Sequence, residues 1–594
     1  MLHNKRYKAG GEQILITLSY EGQQFMLQGK PTRLISGAVH YFRIVPEYWT
    51  DRLRKVKAMG CNCVETYIAW NVHEPREGQF NFKGMADIVE FVRIAEREGL
   101  YVIVRPSPYI CAEWEFGGLP AWLLKEDMRL RCSDPRFLEK VSAYYDALLP
   151  QLKPLLATAG GPIIAVQIEN EYGSYGNDQA YLQALRGMLV ERGIDVLLFT
   201  SDGPGDDMLQ GGMADGVLAT VNFGSRPKEA FDKLKQYQSD APLMCMEYWN
   251  GWFDHWFEEH HTRSAEDAAQ VLDEMLGMGA SVNFYMLHGG TNFGFGSGAN
   301  HGGRFEPTVT SYDYDSAISE AGDITPKYRL FREVIGKYVS LPEGDLPENM
   351  PKTAYGEISV NRAVKLFDTL ASMTDVKMSI CPEPMEMYDQ NNGFILYSTQ
   401  VSGPRTECTL TIQDVHDRAH VFLDQKLIGI VERWDPQKLA VTIPEGGARL
   451  DIFVENMGRV NYGSELYDRK GITHGVRLNG QFLFHWEVRS LELETLSGLQ
   501  FKTADSGLEG EQPAFYEATL SIQEQPQDTF LRLDGWKKGV VFVNGFNLGR
   551  YWEVGPQQTL YVPAPILRQG ENQIVVFELH TPGDKLIFEA VPSL

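Results

Sequence analysis

A chain of 594 residues is longer than one hydrophobic core can organise, so we expect two to four domains. Hydrophobic residues make up 43% of the chain and aromatic residues 11%, which is typical of globular domains with sizeable cores. The formal net charge of −24 argues against nucleic acid or an anionic membrane as the main partner.

The termini and the cysteines indicate a compartment. No apolar segment follows the basic residues of Met1–Gly10, so we expect no secretory signal, and no apolar run reaches the roughly 18 residues of a membrane span. The seven cysteines are odd in number and mostly lie in apolar runs, which predicts reduced thiols in a cytoplasmic protein. Cys61 and Cys63 form a CxC pair without a second pair at zinc-ligand spacing, so we predict no metal and no cofactor.

Residues 30–335, within a first predicted domain of residues 1–340, alternate short apolar runs with amphipathic stretches. Helices are predicted between Pro46 and Gly60, over Met85–Glu98 and after the capping residue Ser264. Eight apolar runs separated by helices favour a (β/α)8 TIM barrel, with a doubly wound open sheet as the alternative. The predicted strands are Leu34–Tyr41, Cys63–Trp70, Tyr101–Arg105, Ile163–Glu169, Val196–Thr200, Val217–Asn222, Leu243–Glu247 and Ser281–Leu287.

The pattern changes after the Pro-rich segment Leu341–Pro351. Short strand-like runs separated by turn residues follow, and long helical periodicity is absent. This predicts two β-sandwich domains, over 341–500 and 501–594, with a break near Leu499–Gly510. The predicted strands are Phe394–Gln400, Cys408–Ile412, Ala419–Leu423, Arg449–Val454, Ala518–Ile522, Val540–Val543 and Gln573–Leu579.

Polar and aromatic side chains follow the carboxyl ends of five predicted barrel strands, where barrel enzymes carry their chemistry. Carboxylates beside aromatic rings suit a sugar, whose C–H faces stack on rings while its hydroxyls need polar partners. Glu171 and Glu247 are therefore candidates for an acid/base and nucleophile pair. Glu169 remains a rival of Glu171, because strand alternation places both on one face and Asn170 on the other.

Long motifs of this chain resemble those of glycoside hydrolase family 35 β-galactosidases, and within them the bacterial β-1,3-galactosidase subgroup. The resemblance implies a TIM barrel with catalytic glutamates on strands four and seven, followed by jelly-roll, galactose-binding-like β-sandwiches. The motifs are Ser36–Tyr41, Arg105–Trp114, Gly117–Trp122, Gly161–Gly173, Gly289–Phe293, Ser311–Asp315, Val454–Gly463 and Val543–Trp552.

The resemblance also implies roles for single residues. Glu171 matches the acid/base and Glu247 the nucleophile, while Asn170 matches the residue that holds the 2-hydroxyl. Tyr285 matches a tyrosine that flanks the nucleophile. Galactose-pocket positions are matched by Tyr67, Cys111, Ala112, Glu113 and Tyr314, and aglycone positions by Trp249, Trp252 and Tyr462.

These matches imply a retaining exo-β-galactosidase that removes terminal β-D-galactose from oligosaccharides, with a preference for β-1,3 linkages to GlcNAc or GalNAc. One alternative keeps the mechanism and changes the sugar, as in an exo-β-glucosaminidase or another β-glycosidase of the clan. A second is a carbohydrate-binding protein with an inert barrel. A homodimer is compatible with so large a chain carrying β-sandwich surfaces.

Overall fold

A computed structural model describes residues 17–106, 108–503 and 512–594. The N-terminal segment 1–16, on which the prediction of no secretory signal rests, lies outside the described residues. The described chain begins with a small antiparallel sheet, which the sequence analysis did not predict. Its strands are β1 (Leu18–Glu21), β2 (Gln24–Leu27) and β3 (Lys30–Thr32).

Eight parallel strands then form a closed barrel. Each predicted run overlaps one strand, in the predicted order. The sheet closes on itself, which excludes the open sheet. The strands are mostly apolar and almost fully buried because helices cover the outer face of the barrel and side chains fill its interior. They are β4 (Ile35–Val39), β5 (Cys63–Tyr67), β6 (Tyr101–Arg105), β7 (Ile163–Gln167), β8 (Leu197–Asp202), β9 (Leu218–Phe223), β10 (Met244–Trp249) and β11 (Ser281–His288).

The helices pack their apolar stripes against this barrel. The helix Trp49–Met59 (α1) buries the side chains of Trp49, Leu53, Val56 and Met59, and it ends at Gly60 with φ of 106°. Ser264 accepts a hydrogen bond from the Asp267 backbone N–H and caps α8, as predicted. The helices are α1 (Trp49–Met59), α2 (Trp70–His73), α3 (Ile88–Arg97), α4 (Pro135–Leu152), α5 (Gln179–Glu191), α6 (Asp206–Gly212), α7 (Pro227–Tyr237), α8 (Ala265–Gly277), α9 (Pro326–Gly336) and α10 (Leu366–Met373).

The rest of the described chain is built from strands, apart from α10 and short 3₁₀ turns. A hairpin, β12 (Ala299–His301) and β13 (Phe305–Pro307), projects from the barrel. The later strands are β14 (Gly356–Ser359), β15 (Arg362–Lys365), β16 (Lys377–Ser379), β17 (Phe394–Val401), β18 (Arg405–His416), β19 (Arg418–Leu423), β20 (Lys426–Glu432), β21 (Leu439–Ile443), β22 (Ala448–Glu455), β23 (Val460–Gly463), β24 (Gly471–Leu478), β25 (Gln481–Phe482), β26 (Trp486–Leu491), β27 (Lys502–Thr503), β28 (Ala514–Ile522), β29 (Thr529–Arg532), β30 (Lys538–Val543), β31 (Phe546–Trp552), β32 (Thr559–Val562), β33 (Gly570–Glu578) and β34 (Lys585–Glu589).

Two pairs of antiparallel sheets make two β-sandwiches. In the first, the sheet β16-β26-β17-β22-β19-β20 faces β21-β18-β24-β25 across an apolar core that includes Trp486 and Ile452. In the second, β27-β15-β28-β33-β30-β31 faces β14-β34-β29-β32 around Trp536 and Leu586. Phenylalanines on the outer faces join the sandwiches, with the rings of Phe394 and Phe577 5.2 Å apart.

The order of these sandwiches along the chain differs from the simple division at residue 500. Strands β14 and β15 precede the first sandwich in the sequence, yet they pair with β34 and β28 of the second. A boundary at 341 would assign both strands to the first sandwich, because local patterns carry no information about partners more than 150 residues away. The predicted break at 499–510 overlaps residues 504–511, which lie outside the described chain.

The hairpin also ties the barrel to the first sandwich. Strand β12 pairs in parallel with β23, so that Asn300 lies opposite Tyr462. This pairing brings a side chain from more than 160 residues downstream to the carboxyl-terminal rim of the barrel.

Candidate active site

The chain after β7 separates the two glutamates of the Glu-Asn-Glu motif. Glu169 and Glu171 both have left-handed backbones, with φ of 54° and 45°, so regular strand alternation ends at Gln167. Glu169 is buried and accepts hydrogen bonds from Arg131 at 2.9 and 2.8 Å and from Tyr181 at 3.1 Å. Glu171 lines a cavity instead. The expectation from alternation is therefore wrong: the two glutamates diverge, and Asn170 lines the same cavity as Glu171.

Glu247 lies on β10 and receives hydrogen bonds on both carboxylate oxygens. Its Oε1 accepts from the Tyr67 hydroxyl at 2.6 Å and from the Arg105 guanidinium at 2.7 Å, and its Oε2 accepts from Trp249 Nε1 at 3.2 Å. Arg105 also donates to Asn170 Oδ1 at 2.7 Å. The Arg105–Glu247 pair is buried, so these bonds both stabilise the carboxylate charge and fix its position.

Glu171 has a different environment across the cavity. Asn222 Nδ2 donates to Glu171 Oε1 at 3.0 Å, and the Ser201 hydroxyl donates to Asn222 Oδ1 at 2.6 Å. The serine thus orients the amide so that its N–H₂ group points at the glutamate. Burial of the carboxyl group, together with the nearby charge of Glu247, raises the pKa of Glu171 to about 8.

The cavity has a volume of about 160 Å³. It brings together all twelve residues that the sequence analysis selected, from three barrel strands, from loops that follow β6, β7, β10 and β11, and from the first sandwich. They are Tyr67, Cys111, Ala112, Glu113, Asn170, Glu171, Glu247, Trp249, Trp252, Tyr285, Tyr314 and Tyr462, and Ile110, Phe253 and Asn300 complete the lining.

The closed end of the cavity is built on a left-handed backbone. Cys111, Ala112 and Glu113 have φ of 58°, 61° and 50°, a conformation that side-chain-bearing residues rarely adopt in succession. The Ala112 carbonyl accepts a hydrogen bond from Arg43, the Glu113 carboxyl accepts one from the Tyr312 hydroxyl, and burial raises the pKa of Glu113 to about 7. These contacts hold a polar surface against the cavity.

The open end of the cavity is aromatic. The rings of Trp249 and Trp252 lie 5.8 Å apart, and the ring of Trp252 stacks on Phe253 at 5.0 Å. Trp252 is 40% exposed and Tyr462 is 41% exposed, so both stand at the mouth where a ligand would leave the cavity. A sugar bound at the carboxylates would therefore extend between these rings.

Sequence reasoning missed three of the groups that hold the two carboxylates. Arg105, Ser201 and Asn222 are polar residues in the last positions of buried barrel strands, which is the signal that could have identified them. Over residues 17–106, 108–503 and 512–594, no group of three or more His, Cys, Asp or Glu side chains is placed to hold a metal ion. Across those same ranges, no helix combines the length and apolarity that crossing a membrane requires.

Comparison with known proteins identifies relatives over more than nine tenths of the chain. The family model described as glycosyl hydrolases family 35 matches residues 24–338, and models for a first all-beta domain and a galactose-binding domain of beta-galactosidases match 382–492 and 513–572. A beta-galactosidase of Bos taurus is 43% identical over 95% of this chain and 91% of its own. One of Xanthomonas manihotis is 45% identical over 92% and 91%, and the human beta-galactosidase-1-like protein 2 is 42% identical over 97% and 92%.

Proposed function

The chain belongs to glycosyl hydrolases family 35, and from that premise we propose that it removes terminal β-linked galactose from oligosaccharides with retention of configuration. Relatives matched over nine tenths of their length carry the name beta-galactosidase. The observation that carries the proposal is the pair of carboxyl groups facing one cavity, Glu247 in an ion pair and Glu171 with a raised pKa. A retaining glycosidase needs one ionised and one protonated carboxyl group.

In the proposed reaction each carboxyl group has its own step. Glu247 attacks the anomeric carbon while Glu171 donates its proton to the departing oxygen, and a galactosyl ester of Glu247 forms. Glu171, now ionised, then removes a proton from a water molecule, which attacks the anomeric carbon and releases β-galactose and free Glu247. Tyr67 and Arg105 donate hydrogen bonds to Glu247. These bonds weaken as the carboxylate loses its charge in the ester, and they stabilise the carboxylate again when the ester is cleaved.

A panel of nitrophenyl glycosides, read together with NMR of the first-formed sugar, tests this proposal. We expect turnover of the β-galactoside far above that of β-glucosaminide or β-mannoside, with β-galactose formed first. Preferred cleavage of the β-glucosaminide would favour the clan alternative. Formation of α-galactose first would contradict the double displacement.

The aromatic mouth supports a preference for β-1,3-linked galactose on GlcNAc or GalNAc. Trp249, Trp252 and Tyr462 present rings beside the leaving group, and each stacked ring contributes on the order of 0.5–1.5 kcal/mol. Rates on β-1,3- and β-1,4-linked disaccharides of the same sugars check this preference. Equal kcat/KM values would remove it, and Trp252→Ala should reduce the discrimination by about fivefold while Phe80→Ala, another exposed aromatic outside the cavity, should not.

We further propose that two copies of the chain associate through one side of the first sandwich. Within the described residues β16 pairs with β26 alone, and the neighbouring side chains Met378, Ile380 and Phe484 are 70%, 69% and 52% exposed. With Phe482, which is 43% exposed, these side chains form an exposed apolar patch of the kind that marks interaction surfaces. Light scattering should give a dimer that Ile380→Lys converts to monomer; a monomeric wild-type protein contradicts the association.

We also propose that the protein works in a reducing compartment. All seven cysteines are free, and five of them, including Cys61 and Cys63, are buried. Equal activity and equal melting temperature with and without a thiol reductant, after purification under reducing conditions, would agree with this. Loss of activity in reductant would contradict it.

A further inference from the structure

A second cavity lies beside the mouth of the catalytic cavity, between residues 255–258, the hairpin residues 304–307 and Trp434 of the first sandwich. Its volume is about 250 Å³, and we call it the distal pocket. Phe257, 57% exposed, lies with its ring centroid 6.2 Å from that of Trp434. The ring of Trp434 is parallel to that of Phe305 within 8°, so the pocket has an aromatic wall.

The rim of the distal pocket is charged. Glu258 accepts a hydrogen bond from the His255 backbone N–H at 2.8 Å, and Arg304 pairs with Glu306 at 2.7 Å at the solvent edge. Each of these carboxylates keeps lone pairs for further donors, and Arg304 is exposed. Aromatic faces bordered by carboxylates and a guanidinium suit a sugar ring with hydroxyls, whereas an aliphatic ligand would leave the charged groups without partners.

The distal pocket and the catalytic cavity share two walls. The segment that carries Trp249, Trp252 and Phe253 along the catalytic cavity continues into residues 255–258 of the distal pocket. On the hairpin, Asn300 of the catalytic cavity lies directly opposite Glu306 of the distal pocket. Opposed residues of an antiparallel pair have Cα atoms about 5 Å apart, which is close to the length that one sugar unit adds to a chain.

His255 of the distal pocket contacts two residues that line the catalytic cavity. His255 Nε2 lies 3.3 Å from Asn300 Oδ1, and the His255 ring packs edge-on against Phe253 at 5.2 Å. A chain of sugars that leaves the catalytic cavity past Trp252 would pass these side chains on its way to Phe257 and Trp434.

We propose that the distal pocket binds a sugar of the substrate's reducing-end side, beyond the residue that is linked to the cleaved galactose. The proposal rests on the proposed function, because the occupant is the remainder of the oligosaccharide whose terminal galactose is removed. It predicts that the protein selects chains of three or four sugars over disaccharides.

The experiment compares kcat/KM for nitrophenyl β-galactoside and for di-, tri- and tetrasaccharides that share one terminal galactose and linkage. We expect wild-type kcat/KM to rise about tenfold from di- to tetrasaccharide. Phe257→Ala and Trp434→Ala should each lower the ratio of tetrasaccharide to nitrophenyl kcat/KM about fivefold. Phe80→Ala, an exposed phenylalanine outside both cavities, is the matched control and should leave the ratio unchanged.

A binding measurement keeps the test independent of turnover. Saturation-transfer NMR on the full-length Glu247→Gln protein should show contact with the distal sugar of the tetrasaccharide, and the Phe257→Ala change should remove that contact. A wild-type protein that cleaves nitrophenyl galactoside yet has equal kcat/KM for all chain lengths overturns the distal-pocket proposal alone. A protein that cleaves no β-galactoside overturns the proposed function, and the distal-pocket proposal with it.

Discussion

The two carboxyl groups of the catalytic cavity are the same chemical group in opposite surroundings. Glu247 receives a guanidinium, a phenol and an indole N–H, whereas Glu171 receives the neutral amide of Asn222 and lies close to another negative charge. The first environment stabilises a carboxylate, and the second favours a carboxylic acid. The neighbouring groups, and not the residue type, therefore determine which glutamate acts as nucleophile and which as acid.

The different roles of the two carboxyl groups can be tested by removing each of them and adding azide as an external nucleophile. Glu247→Gly should lose turnover by roughly 10⁴-fold, about 5.5 kcal/mol of transition-state stabilisation, because no covalent intermediate can form. Azide should restore cleavage of an activated aryl galactoside and yield the α-galactosyl azide, since it attacks from the side that Glu247 vacated.

In Glu171→Gly the same reagent should yield the β-galactosyl azide, because azide then attacks the ester of an intact Glu247. The anomeric configuration, read by NMR, thus distinguishes the two roles. Products with the configurations exchanged would reverse the assignment.

The effect of Glu171→Gln should depend on how readily the leaving group departs without a proton. Loss of the proton donor should slow cleavage of a disaccharide by roughly 10³-fold, because the sugar oxygen departs poorly without a proton. A dinitrophenyl galactoside needs no such help, and the galactosyl ester should form at nearly the wild-type rate and accumulate. A burst of dinitrophenol in stopped-flow kinetics measures this. Equal loss on both substrates would contradict the acid role.

Substitution of Glu169 and substitution of Glu171 should have different effects on the free energy of unfolding. Glu169→Gln breaks a buried pair and leaves Arg131 without its counter-ion, which should cost about 3–5 kcal/mol in the free energy of unfolding. Glu171→Gln removes a buried carboxyl group that lacks a cationic partner of this kind and should leave stability unchanged or higher. The urea midpoints of the two variants, followed by tryptophan fluorescence, provide the measurement, and similar midpoints would contradict the contrast.

The change that we expect to be smallest is a shift in the pH dependence of kcat/KM. Glu171 acts in its protonated form, so kcat/KM should fall as the pH rises through about 8, its pKa in the folded protein. The amide of Asn222 stabilises the ionised form, and its loss in Asn222→Ala should raise the pKa of Glu171 and move the basic limb to higher pH. Ser201→Ala, which only frees the amide to rotate, should move it less. A limb that moves to lower pH would contradict this role of Asn222.

Much of this site could be predicted from sequence because parallel barrel strands are apolar on both faces and end at a common rim. The residues after those strands could therefore be assigned to one cavity before their contacts were known. The divergence of Glu169 and Glu171 could not be predicted, because a left-handed backbone at two glutamates leaves no glycine as a marker. The partner Arg131 likewise comes from a separate loop, with no local pattern that links it to β7.

The strand pairing between modules escaped prediction for a related reason, and Tyr462 is assigned to the cavity by the family resemblance alone. Alternation shows which face of a strand is buried, but it does not name the neighbouring strand. Nothing local in β23 predicts that it pairs with a hairpin of the barrel and places Tyr462 at the cavity. The distal pocket has the same origin, because Trp434 reaches Phe257 only through this assembly.

The pairing of β14 with β34 has a consequence for synthesis on the ribosome. About 230 residues separate the two strands, so at roughly 5–20 residues per second β14 waits some 10–50 s for its partner to be translated. During that interval the barrel and the first sandwich can fold, while one sheet of the second sandwich lacks its central strands. Residues 585–589 therefore complete a sheet begun at residues 356–359, and termination of translation between these segments would leave exposed strand edges beside an otherwise finished barrel.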